Sequence, residues 1–180
     1  MTKYAKIQSK GNERGKMMKN DSILIEKMTE FYSGDPGRIQ HFIKVYTFAT
    51  LIGEGEKLSS EQMFILRTAA IIHDIGIKPA EAKYGSSAGE LQEKEGPAEA
   101  EKMLRALGYE DSVIERVCWL VGHHHTYSSV KEIDHRILVE ADFIVNAYES
   151  NMKKESIIFG SYKIFRTATG KRLLETIFAL

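Results

Sequence analysis

The residues with the most chemistry to offer are six histidines and a few carboxylates placed among apolar neighbours. His41 follows Arg38-Ile39-Gln40 and shares a helical stripe with Val45, Phe48 and Ile52. His73 ends the run Ala69-Ala70-Ile71-Ile72, with Asp74 directly after it. Asp142 has Leu138, Val139 and Val145 on its own helix face. A buried carboxylate without a partner is costly, and it either neutralises or finds a cation. Taken singly, His41 reads more readily as a hydrogen-bonded core histidine, and Asp142 as the partner of Arg136 or a distant lysine. Taken together, ionisable groups on the inward faces of several helices call for a shared counter-charge. A divalent metal supplies it, with neutral imidazoles and ionised carboxylates as ligands. Helix neighbours point about 100° apart, but near a helix end His73 and Asp74 can both turn toward one ion.

A second group of candidates is His123-His124-His125. The stripe Val113, Val117, Leu120 and Val121 continues to His124, which is expected to point inward with His123 or His125 beside it. A metal-scavenging surface run is the lesser reading. Lys78 follows the His73-Asp74 pair closely and reads equally as a point charge for a substrate phosphate or as a solvated lysine. Arg38, one turn before His41, is a phosphate clamp or a surface charge. His135 is expected at the surface, opening a helix, without a role.

Helices must position these groups. Residues 1 to 20 are polar, basic and without period, as in a flexible tail. A helical pattern begins at Ser22. Asp35 and Pro36 then suit the cap and first position of a helix running to about Ile52. Ser59-Ser60-Glu61 starts another that ends near Gly76, with Pro79 as a stop signal. Residues 80 to 95 read as a polar loop with at most a short helix, a candidate lid over a site. Further helices are expected from Pro97 to Leu107, from a cap at Asp111 or Ser112 through Val121, from about His135 to Glu149, and from Lys171 to Leu180. Ile157-Ile158-Phe159 is an isolated strand candidate. The expectation is an all-α bundle of six or more helices. It forms a single domain over residues 21 to 180 with its core at about 35 to 150.

Composition narrows the function classes. The 180 residues are 43% hydrophobic and 28% charged, and 25 basic residues balance 25 acidic ones. Zero net charge gives no global argument for a nucleic-acid polymer or an anionic membrane. The single cysteine, Cys118, lies in an apolar run and reads as an inert buried thiol. No apolar run approaches the roughly 20 residues of a membrane span, and the N-terminus lacks a secretory pattern. The expected compartment is the cytoplasm.

The order His41, His73-Asp74, Asp142 resembles the HD-domain superfamily of metal-dependent phosphohydrolases. The likeness includes the surroundings Arg38-Ile39-Gln40-His41, Ala69 through Gly76 and Glu140-Ala141-Asp142, and spans roughly residues 35 to 150. It implies an all-α fold with the ligands His41, His73, Asp74 and Asp142 on three helices, and a divalent Mn, Fe, Co, Ni or Zn ion. In bimetallic members a histidine from the His123–His125 region binds a second ion, so His123 and His124 join the candidate ligands. Such members also carry a histidine before the intervening helix, where this chain reads Gln92-Glu93-Lys94-Glu95-Gly96-Pro97. Glu93 or Glu95 can substitute as an oxygen ligand, or the second site is weak or vacant. Ile77 stands where the five-prime nucleotidase branch has a glutamate, which disfavours that branch. The resemblance implies hydrolysis of a nucleotide or another small phosphate ester, with Asp74 orienting the water and Lys78 and Arg38 near the phosphate. A di-iron oxygenase and a regulatory ligand-sensing domain are the alternatives.

Overall fold

The computed structural model describes residues 21–127 and 131–180. Residues 1 to 20, expected as a tail, lie outside the described residues, as do 128 to 130. Helix α1 covers residues 21–31, and Leu24 and Met28 on its inner face are fully buried. Helix α2 runs from Pro36 to Gly55, with Pro36 at its start and the Asp35 side chain accepting from the Arg38 N–H. Helix α3, Ser60–Ile72, opens with a reciprocal cap in which Ser59 and Gln62 each accept from the other's backbone N–H.

The chain then tightens into a 3-10 turn, His73–Gly76, before helix α4, Ile77–Tyr84. Helices α5, Gly89–Ala106, and α6, Asp111–Val121, pack side by side. Helix α7, Ile133–Glu149, is buried on most of its faces, and α8, Lys154–Ile164, and α9, Ala168–Phe178, close the chain. The described residues contain no strand. The core lies where α2, α3 and α7 meet, with Phe42, Val45, Ile52, Leu66, Ile71, Ile137, Leu138 and Ile144 buried there.

Several local expectations are corrected. Residues 80 to 95 are not a lid loop, since only 85–88 lie outside α4 and α5. Pro79 does not stop a helix. It sits in the first turn of α4, where its missing N–H has no intrahelical acceptor to lose. Pro97 does not open a helix but lies inside α5. Ile157, Ile158 and Phe159 are helical, in α8. Helix α7 begins at Ile133, two residues before His135, and Asp134 in its first turn holds Arg116 through two hydrogen bonds of 2.7 and 2.9 Å. Neither Asp111 nor Ser112 is the cap of α6, a position taken by Glu110. The last helix starts earlier than Lys171, at Ala168, because Thr167 caps it by accepting from the Gly170 N–H.

One close approach shapes everything near the 3-10 turn. A Cβ on Gly76 would lie 2.3 Å from the backbone oxygen of Gln92 and 2.9 Å from the Gly96 Cα. A side chain at 76 would therefore push α5 away from the turn. The absence of one lets two backbones touch and brings residue 92 beside the His73-Asp74 pair.

Candidate metal centre

Three elements deliver the candidate ligands. Helix α2 supplies His41, the 3-10 turn supplies His73 and Asp74, and α7 supplies Asp142. The reactive atoms converge. His41 Nε2 lies 3.3 Å from His73 Nε2 and 3.2 Å from Asp142 Oδ1, and His73 Nε2 lies 3.6 Å from that same oxygen. Asp74 Oδ2 is 3.4 Å from both imidazole nitrogens. Donors bound at about 2.0–2.2 Å to one ion sit roughly this far from one another.

The rings are fixed from behind. His73 Nδ1–H donates to the Ala70 carbonyl at 2.9 Å, which leaves its Nε2 lone pair facing the centre. His41 Nδ1–H donates to Glu149 Oε2 at 2.8 Å, and Glu149 also binds Lys44 at 2.6 Å. A carboxylate behind a ligating imidazole sets its tautomer and raises its basicity. Asn146 Nδ2–H donates to Asp142 Oδ1 at 2.8 Å. The Tyr32 hydroxyl donates to the Asp74 carbonyl at 2.6 Å, tying the turn to the end of α1.

Electrostatics express the same demand for positive charge. Burial would lower the pKa of His41, yet Asp142, Asp74 and Glu149 outweigh it and lift it to about 9. Burial would raise Asp142, but His41 and His73 hold its carboxyl well below the usual carboxylate range. Asp74 is held low in the same way by His73, His124 and His41 against the opposing effect of burial. Both carboxylates therefore favour the ionised form that a cation requires, and the proton drawn onto His41 stands in for the positive charge an ion would bring.

A second group of donors adjoins the first. Asp74, His124 and His125 bring ligand atoms within 4.8 Å of one another. Asp74 belongs to both groups, because its Oδ1 lies 3.4 Å from His124 Nε2 while Oδ2 faces His41 and His73. His124 is fully buried, its Nδ1–H donates to the Val121 carbonyl at 2.8 Å, and its Nε2 has no hydrogen-bond partner. An orphaned buried nitrogen aimed at a carboxylate oxygen fits a cation between them. These donors, imidazole nitrogens and carboxylate oxygens, suit a divalent transition metal in either group.

The remaining candidates are placed differently. His123 turns away, stacked on Trp119 at 4.3 Å between ring centroids, with its Nδ1–H on the Trp119 carbonyl. His125 stands beside His124 instead. Glu93 accepts from the His125 backbone N–H at 2.9 Å and from the Thr126 hydroxyl, and Glu95 holds Lys83 and Tyr84. Lys78 places its ammonium on the Phe31 carbonyl at 2.8 Å. Arg38 donates to Glu81 at 2.6 Å and lies over the Tyr32 ring. His135, expected at the surface, is fully buried and donates from Nε2 to the His123 carbonyl at 2.8 Å. It thereby braces the turn that carries His124 and His125. Cys118 is half-buried, and its Sγ–H donates to the Pro97 carbonyl at 3.4 Å.

A pocket of about 520 Å³ opens onto the centre, lined by His41, Asp74, Asp142, Gln92, His125, Arg38, Gln40, Lys44, Asn146 and Glu149 among others. Sequence reasoning passed over Gln92, Lys44, Asn146 and Glu149. Asn146, four residues after Asp142, and Lys44, three after His41, carried a local signal, since each shares a helix face with a candidate ligand. No helix among the described residues is long and apolar enough to cross a membrane.

A search of curated proteins finds no match. A crystal structure described as a predicted HD superfamily hydrolase from an uncultured Thermotogales bacterium superposes with a TM-score of 0.65 at 22% identity. The alignment covers 88% of this chain and 84% of that one. At that identity the likeness speaks for the fold. The family model for the HD domain matches residues 38–159, which contain every donor in both groups, and on that match the chain belongs to the HD-domain family.

Proposed function

We propose that this chain is a metal-dependent hydrolase that cleaves the phosphate ester of a nucleotide or another small phosphorylated metabolite. The observation that carries the reading is the placement of Asp74 between two donor groups at the floor of an open pocket. An ion held by His41, His73, Asp74 and Asp142 would supply Lewis-acid polarisation of a phosphoryl oxygen and a water acidified toward neutral pH.

The chain's own residues do the rest. Asp74, kept ionised, accepts a hydrogen bond from the attacking water and so orients it. Glu149 holds the His41 ring in register through Nδ1. Arg38 and Lys44 line the pocket wall and offer N–H donors to a phosphate, each held in place by a carboxylate, Glu81 or Glu149. Lys78 would have to leave the Phe31 carbonyl to reach a substrate. The neutral amides of Gln40 and Asn146 offer hydrogen bonds to the remainder of a small polar molecule.

The test is elemental analysis of the purified protein, followed by a phosphate-release screen over nucleotides and sugar phosphates with that metal restored. Metal-dependent release that disappears in Asp74→Ala is expected. A metal-loaded protein that releases phosphate from none of them overturns the reading. The adjacent pair of donor groups also favours a second reading, a di-iron oxygenase. Iron as the bound metal with substrate-dependent oxygen uptake and no phosphate release would identify it.

A further inference from the structure

Gln92 is the polar side chain that neither donor group accounts for. It is buried, at 8% exposure, and lines the same pocket as Asp74 and His125. Its amide orientation is determined by its partners. Nε2–H donates to the Ser87 carbonyl at 2.7 Å, so Oε1 must point the other way, toward His125. There Oε1 lies 3.2 Å from His125 Nε2, a hydrogen bond when that nitrogen carries the proton; with the proton on Nδ1 instead, both atoms turn lone pairs toward the same space. That separation is the one found between donor atoms of the first group, 3.2 Å for His41 Nε2 and Asp142 Oδ1.

Two features of the backbone hold this arrangement. The Gly76 contact seats α5 against the 3-10 turn at residue 92 itself. Gly89, on the same helix, leaves room for the His125 ring, since a Cβ there would come within 2.8 Å of His125 Cδ2. Glu93 fixes the other side by accepting from the His125 N–H. The ring and the amide are thus positioned independently and still face each other.

We infer that Gln92 supplies its amide oxygen as a hard, neutral donor to a second cation held by Asp74, His124 and His125. An amide oxygen is a weaker donor than imidazole or carboxylate toward transition ions, and it favours harder ones. The second ion is therefore held less tightly than the first, and Gln92 sets which ion it is. This rests on the reading of the centre as metal-binding and is independent of the reaction catalysed there.

The experiment titrates metal-free full-length protein with Mn²⁺ and Co²⁺, following stoichiometry by calorimetry and the visible spectrum of the cobalt form. Wild type binds two ions, the second at least tenfold more weakly. Gln92→His tightens the second ion by about tenfold or more, and Gln92→Leu weakens it by about tenfold, with the first unchanged in both. The cobalt bands of the second ion shift in Gln92→His and in Gln92→Glu. A residue that only steers His125 would move affinity without moving those bands. Binding of a single ion by wild type, an unchanged second affinity in Gln92→Leu, or unshifted bands in Gln92→His each overturns the assignment. If Gln92→Leu does not fold, the polar replacements His and Glu carry the same test. Two bound ions with no phosphate release would count against the hydrolytic reading and leave the Gln92 assignment standing.

Discussion

The two donor groups share Asp74 but are built differently. His41, His73 and Asp142 are all buried, on α2, on the 3-10 turn that directly continues α3 and on α7, and α2, α3 and α7 pack together as the core. His124 and His125 ride on the turn that follows α6, braced by Glu93 and His135 rather than by a helix. The first group has a carboxylate behind His41, whereas His124 has a backbone carbonyl behind it. A site framed by three core elements is set by the fold itself. A site framed by a turn depends on a few hydrogen bonds, and so it is the easier one to lose or retune.

The strongest challenge to this contrast is Asp74→Ala, which removes the shared donor. Both ions should be lost together, with turnover falling by about a thousandfold or more, while circular dichroism shows the helices intact. Retention of one tightly bound ion would show that the groups are less coupled than their geometry states. His124→Ala should then separate the groups, removing the second ion and keeping the first, as read by elemental analysis. Glu149→Ala should act on the other side, weakening the first ion by about 10–100-fold. Gly76→Ala forces α5 off the turn and should lower stability by about 1–3 kcal/mol, with the second ion weakened more than the first. The smallest effect belongs to Lys78→Ala, for which turnover should stay within about twofold because its ammonium rests on the Phe31 carbonyl. A larger loss would show that the side chain swings into the pocket during the reaction.

Much of the first group was legible in the sequence, because each of its members interrupts an apolar helical pattern with a charge or an imidazole. The all-helical architecture was legible because long apolar stretches run between helix caps and stop signals, with a regular 3.6-residue stripe in α6 through Val113, Val117, Leu120 and Val121. What escaped was governed by contacts distant in sequence. Glu149 reads as an ordinary acidic helix end until α7 lies beside α2 and brings it to His41, 108 positions away. The helical character of residues 80 to 95 escaped because Gly85, Ser86, Ser87 and Gly89 suggest a loop. In fact Gly85 ends α4 in a left-handed conformation (φ 67°) and α5 starts at Gly89. His123 was misplaced because one residue along a turn decides whether a ring faces the core or the Trp119 side, and His135 was misplaced because Trp119 and the His123 carbonyl cover it only once α6 and α7 are folded together.

The contact between Gly76 and α5 has a consequence for how such a site can change over time. Residue 92 is brought to the centre by backbone meeting backbone, so its position does not depend on what side chain it carries. An amide, a carboxylate or an imidazole can be exchanged there without asking the surrounding core to repack. With Gln92 as the proposed donor, the ion preference of the second group would be open to revision at that one position.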